Sequence, residues 1–192
     1  MKNALILHGT NGSPTENWFE WLRQELVKDG YSVTVPELPM ASRPNIDRYN
    51  NFLLNEIKYN LNQNTILVGH SSGAVAILGL LEAIPSDKKV DACYLVGAFK
   101  NDLSWEALSD LFTKPLDFQN IKSKAKKFVF IHSDNDPYCP LEHAQFLAEQ
   151  LDGELIIKKG QQHFSVGTMG DQYQQFPFLL DLIKKDQYES HQ

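Results

Sequence analysis

The sequence predicts an α/β fold: a six-stranded, mostly parallel sheet with helices on both faces. Three observations predict it. Six short apolar or β-branched runs alternate with longer segments of helical period, the pattern of strands joined by right-handed helical crossovers. The runs are continuously apolar rather than alternating, as strands covered on both faces are. Three of them end at a glycine (Gly9, Gly69 or Gly97), where the chain can turn sharply.

The elements follow in order. Ala4–Leu7 is a short buried strand ended by His8-Gly9. Ser13-Pro14-Thr15-Glu16 reads as a helix start, with Ser13 as N-cap, Pro14 at the first helical position and Glu16 closing a capping box. Trp18, Trp21, Leu22 and Leu26 then form one stripe, which Gly30 ends. Tyr31–Val35 is the second strand. Tyr49, Phe52, Leu53, Ile57 and Leu61 make a second helical stripe, and Thr65–Val68 is the third strand. Gly73–Ile84 is apolar nearly all round, so this helix is expected to be buried. Strands follow at Ala92–Val96, Lys127–Ile131 and Glu154–Ile157, with helices at Ser104–Phe112, Leu141–Leu151 and Phe178–Lys185. A chain of 192 residues with no linker-like stretch reads as one domain over 1–185, with a polar tail over 186–192.

Composition narrows the function classes. Apolar residues make up 42% and charged residues 22%, an ordinary globular balance. No run reaches the roughly 20 apolar residues of a membrane span, and the N-terminus lacks the regions of a signal peptide. Two cysteines, Cys93 and Cys139, are too few for a disulfide framework, and the expected location is cytoplasmic. With a net charge of −6, the lysines of Lys122–Lys127 read as a solvated helix face rather than a nucleic-acid patch.

Gly69-His70-Ser71-Ser72-Gly73 fits G-x-S-x-G, the nucleophile elbow of the α/β-hydrolase architecture. Such a serine sits on a strained strand-to-helix turn, and the flanking glycines let the helix pass close to the strand. The bare pattern arises by chance in about one chain in fifteen of this length. Here it follows a strand and opens a helix, the context it demands. A serine hydroxyl needs a base, and in this architecture the order is Ser, acid, His. His143 falls inside a helix, facing solvent, and His191 in the tail; His163 lies in a loop just after the sixth strand. Sites collect at such carboxyl ends, so His163 is the expected base. Asp134 and Asp136 both follow the fifth strand. Pro137 holds Asp136 extended, while Asp134 suits a turn, and the residues alone leave both open. The oxyanion calls for preorganised donors: the N–H of Ser72, and one from the loop His8-Gly9-Thr10-Asn11-Gly12, with Thr10 preferred and Asn11 next.

His8-Gly9, Trp18-Phe19-Glu20-Trp21-Leu22, Gly69-His70-Ser71-Ser72-Gly73, Ser133-Asp134-Asn135-Asp136-Pro137 and His163-Phe164 together resemble the serine hydrolases related to retinoblastoma-binding protein 9 and the bacterial YdeN-like proteins. The likeness runs over nearly the whole chain in the same order. It implies a three-layer core with strand order 2-1-3-4-5-6 and no lid domain. It also implies Ser71, His163 and, as the aspartate directly before the proline, Asp136 as the triad. The retinoblastoma partner is not carried over. That protein uses an L-x-C-x-E motif, whereas Leu61 is followed by Asn62-Gln63-Asn64-Thr65 and neither cysteine sits in such a motif.

His8, His70 and His132 fall at strand ends and are expected near Ser71, with His8, Asn11, Trp18 and His70 as candidate pocket residues. Trp18 and Trp21 fit core and rim packing better than a substrate cage. No metal or other cofactor is expected, since H-E-x-x-H is absent. The sequence thus points to a serine hydrolase acting on a small acyl substrate, of carboxylic-ester type. A peptidase or thioesterase with the same triad, or a binding module that keeps the shell without catalysis, are the rivals.

Overall fold

A computed structural model describes residues 2–189. Six strands, β1 (Lys2–Leu7), β2 (Tyr31–Thr34), β3 (Thr65–His70), β4 (Val90–Val96), β5 (Ala125–Ser133) and β6 (Glu154–Lys158), form one sheet in the order β2-β1-β3-β4-β5-β6. Every pairing is parallel. This is the order that the resemblance implies, and the carboxyl ends of all six strands point to one edge.

Side chains alternate across each strand, and that alternation divides the core. Leu5, Leu7, Leu67, Cys93, Leu95, Phe128 and Phe130 face one way. They pack under α2 (Ile46–Asn51), α3 (Ser72–Ala83), α4 (Phe118–Lys122) and α5 (Leu141–Leu151). Ala4, Ile6, Ile66, Val68, Tyr94, Val96, Val129 and Ile131 face the other way, toward α1 (Phe19–Lys28) and α7 (Pro177–Glu189). A one-turn α6 (Val166–Met169) lies between β6 and α7. α3 is buried from Ser72 to Leu81, as its all-round apolar sequence predicts.

Several expectations are corrected. α1 starts at Phe19, not after Ser13, whose Oγ lies 3.3 Å from Thr15 Oγ1 rather than capping a helix. The intervening residues are turns, because Asn17 (φ 50) adopts a left-handed conformation that no helix continues through. The second stripe does not run on to Leu61. α2 passes into a π-helical turn at Phe52–Glu56, Lys58 turns at φ 52, and Leu61 reaches the core from a loop. The helix expected from Ser104 is a 3₁₀ turn, Glu106–Leu111, delayed by positive φ at Leu103 and Ser104.

The lysine run is not a solvated helix face. It spans the end of α4 and the start of β5, and Lys124 is buried, its ammonium donating to the carbonyls of Ile84 (2.8 Å) and Pro85 (2.9 Å) at the end of α3. Lys122, Lys126 and Lys127 pair with Asp152, Asp91 and Glu154. The polar tail does not begin at 186, since α7 continues to Glu189. Asp186 is buried there, accepting from Tyr94 Oη (3.0 Å) and Lys127 Nζ (2.7 Å). His191 lies outside the described residues. No described helix is long and apolar enough to cross a membrane.

Candidate active site

Ser71 stands between β3 and α3 with φ 57 and ψ −125, a region costing a non-glycine residue about 1–3 kcal/mol. The turn is held by Ser71 N–H donating to Val96 O at 2.8 Å. Its glycines have no alternative. A Cβ on Gly69 would lie 2.6 Å from Ala74 Cα, and one on Gly73 would lie 2.4 Å from the carbonyl oxygen of Leu7. α3 therefore leaves the elbow tight against β3 and β1, with its N-terminal, positive dipole end at Ser71, whose carbonyl accepts from Ala74 N–H at 2.9 Å.

The loop after β1 passes on the other side. Gly9 comes so close that a Cβ there would meet Ser71 Cβ at 3.0 Å. Thr10 Oγ1 donates to Ser72 Oγ at 2.8 Å, tying this loop to the first turn of α3. The Asn11 N–H is engaged by Ala41 O (3.0 Å) and that of Gly12 by Gly9 O (3.1 Å).

After β5 the chain turns through Asp136. Its Oδ1 accepts from the N–H groups of Tyr138 (2.9 Å) and Cys139 (3.0 Å), and its Oδ2 lies 2.7 Å from His163 Nδ1. Burial of the Asp136 carboxyl pushes its pKa up, but the bond from His163 and the two backbone donors outweigh it and hold the group below the usual carboxylate range. Asp134 is exposed and caps Gly160 N–H at 2.8 Å. The carboxylate that meets His163 is therefore that of Asp136.

His163 follows β6 between two residues of positive φ, Gln162 (44) and Phe164 (51). Its ring lies over Gly97, where φ is 62 and a Cβ would meet His163 Cε1 at 3.1 Å. Ser71 and His163 open onto one cavity of about 320 Å³. Among the described residues no hydrogen bond joins them; in unliganded sites such bonds often tighten only when substrate binds.

The other expected residues divide. Asn11 and His70 line the cavity. His8 does not. It is fully buried, with Nε2 accepting from Leu38 N–H (3.0 Å) and Nδ1 beside Gly9 O (3.0 Å), so it braces the loop. Trp18 does not line it either, being fully buried with its indole N–H donating to Phe164 O at 3.0 Å. His132 sits behind the Asp136 turn, its Nε2 2.7 Å from Cys139 O. His143 is buried rather than solvent-facing and accepts weakly from Lys100 N–H at 3.4 Å. Asp136, Cys139 and His163 bring ligand-type atoms within 4.8 Å of one another. Burial, with the Asp136 carboxylate nearby, pushes the Cys139 thiol pKa well up.

The sequence reading missed Tyr138 and the individual wall residues Phe99, Leu103, Trp105 and Leu108, and did not connect Gly97 with the His163 ring above it. Those four wall residues, in the stretch after β4, form one wall of the cavity. Gly97 carried the one readable signal, a glycine closing a strand.

Residues 4–185 match the serine hydrolase family, and the chain belongs to it. It is a serine hydrolase of the α/β-hydrolase fold. It is 32% identical over 183 residues to YdeN of Bacillus subtilis (strain 168), covering 95% of this chain and 94% of that protein. It is 28% identical over 166 residues to Serine hydrolase RBBP9 of Rattus norvegicus, covering 84% and 86%. The crystal structure of the B. subtilis ydeN gene product superposes with a TM-score of 0.88 at 28% identity, covering 97% of this chain and 98% of the other. Est1E from Butyrivibrio proteoclasticus shares the fold at a TM-score of 0.69 and 14% identity, covering 95% and 88%.

Proposed function

We propose that this hydrolase cleaves small carboxylic esters through a Ser71–His163–Asp136 triad. The observation that carries the reading is the strained backbone of Ser71 at the mouth of a cavity that also holds the His163–Asp136 pair. His163 Nε2 takes the hydroxyl proton as Ser71 Oγ attacks the acyl carbon. Asp136 fixes the tautomer, with the proton on Nδ1, and stabilises the imidazolium. The backbone N–H groups of Ser72 and Thr10 receive the oxyanion. Support for Thr10 over Asn11 is the engagement of the Asn11 N–H by Ala41. His163 then protonates the leaving alcohol, and water repeats the sequence on the acyl-enzyme to release the acid.

The substrate size follows from the cavity. About 320 Å³ is at the small end for ligand sites, and its Phe99, Leu103, Trp105 and Leu108 wall suits a short apolar acyl group. Two buried free thiols, Cys93 and Cys139, suit a reducing, cytoplasmic setting. A panel of p-nitrophenyl esters of rising chain length, run beside aminoacyl amides and thioesters, tests the reading. Fastest turnover of the short esters is expected, and amide or thioester cleavage without ester cleavage would overturn it.

A further inference from the structure

His70 has no role in the proposed proton transfers, yet it is the buried ring nearest the base. Its centroid lies 4.7 Å from that of His163, 6.0 Å from Trp18 and 5.9 Å from Phe19. Its Nε2 is 2.8 Å from the backbone carbonyl oxygen of His163, so Nε2 carries the proton and donates. The next carbonyl, that of Phe164, accepts from Trp18 Nε1–H at 3.0 Å. Asn17 Oδ1 accepts from Val166 N–H at 2.8 Å. Three side chains thus grip the backbone at 163, 164 and 166.

The grip falls where the chain resists its own conformation. Gln162 and Phe164, on either side of His163, both have positive φ. Side chains disfavour that region, and it persists only where the surroundings over-determine it. Asp136 orients the His163 ring through Nδ1, and its other oxygen accepts from Tyr138 and Cys139 rather than from this backbone. His70 is also the chain neighbour of Ser71, so one residue joins the nucleophile's elbow to the base's main chain.

We propose that His70, assisted by Trp18, is a positioning residue: its Nε2–H bond to the His163 carbonyl holds the loop where the imidazole can serve Ser71. The inference rests on the proposed triad. A displaced base slows the chemical step by about 10²-fold, while the Phe99, Leu103, Trp105 and Leu108 wall stays as it is, so kcat falls far more than KM rises.

The test uses the full chain, p-nitrophenyl acetate turnover and the rate of labelling by a fluorophosphonate, with thermal unfolding as the check on folding. For His70→Leu, kcat and labelling rate are expected to fall about 10- to 100-fold with KM within about threefold. For His70→Gln, whose amide N–H can reach the same carbonyl, most of the rate is expected to return. Trp18→Phe keeps a ring but loses the donor, and a smaller fall in kcat at unchanged KM is expected. A folded His70→Leu protein with wild-type kcat overturns the inference, as does a His70→Gln protein as slow as His70→Leu. Should His70→Leu not fold, Trp18→Phe decides, and an unchanged kcat there overturns it. A wild-type chain that reacts with neither reagent overturns the triad reading itself, whereas a reactive wild type with insensitive variants overturns this inference alone.

Discussion

Asp136 uses its two carboxylate oxygens for different tasks: Oδ2 holds His163 Nδ1 at 2.7 Å, while Oδ1 is fixed by the N–H groups of Tyr138 and Cys139. The pair is therefore oriented from both ends. Asp136→Asn is expected to keep the fold and lower kcat by about 10⁴-fold, because an amide favours the wrong imidazole tautomer. Asp134→Asn retains an oxygen for Gly160 N–H and is expected to stay within about threefold of wild type. Steady-state ester kinetics on both variants check the assignment, and equal losses would contradict it.

The elbow glycines make a stability prediction. A methyl at Gly69 or Gly73 would meet backbone atoms of Ala74 or Leu7 that cannot swing away. Either change to alanine is expected to cost on the order of 3 kcal/mol or to prevent folding. Gly160, unlike Gly69 and Gly73, has positive φ, but nothing lies within 4 Å of the added carbon, and Gly160→Ala is expected to cost about 1 kcal/mol of backbone strain alone. Urea unfolding of the three variants checks the ranking.

Acid sensitivity follows from buried histidines. Burial holds His8 and His132 below the ordinary histidine pKa, and burial with the nearby His163 pushes His70 down to about 3. In the unfolded chain these rings titrate near 6.5, at about the model-peptide value. Between the folded and unfolded values the unfolded state binds more protons, so stability rises with pH across that window and is lost as pH falls below about 6.5. Asp136 acts lower: its depressed pKa stabilises the fold above about 3.9, and that contribution is lost as pH falls through the folded value. The urea midpoint is expected to drop between pH 7 and pH 5, and to drop less in His70→Gln. An equal drop in both proteins would contradict this.

Asp186 predicts that the end of α7 matters to the core. Asp186→Ala would leave Tyr94 Oη without its acceptor and Lys127 without its buried partner. A loss of about 1–3 kcal/mol is expected, from one unsatisfied buried hydroxyl and a broken charged bond, and denaturant unfolding measures it.

The contrast between what was and was not legible has physical causes. The sheet was legible because its strands carry uninterrupted apolar runs, and the placement of Ser71 and His163 at one cavity because each follows a strand end. The choice of Asp136 needed the resemblance, since Asp134 and Asp136 differ only in which one turns inward, a matter of main-chain donors at Tyr138 and Cys139. Ser13-Pro14 reads locally as a helix start, but positive φ at Asn17 overrides it. His8 and Trp18 sit beside site residues in sequence, yet both are consumed in bracing loops. That use depends on Leu38 and Phe164, distant in the chain. The wall residues after β4 were invisible individually because a cavity is made by packing, not by period.

The claim that Ser71 is an activated nucleophile is tested most directly by treating the folded protein with a fluorophosphonate and mapping the adduct by mass spectrometry. One phosphonyl group is expected on Ser71, with none taken up by Ser71→Ala. A folded wild-type protein that remains unlabelled, or a label that maps to another residue and survives in Ser71→Ala, would contradict the account.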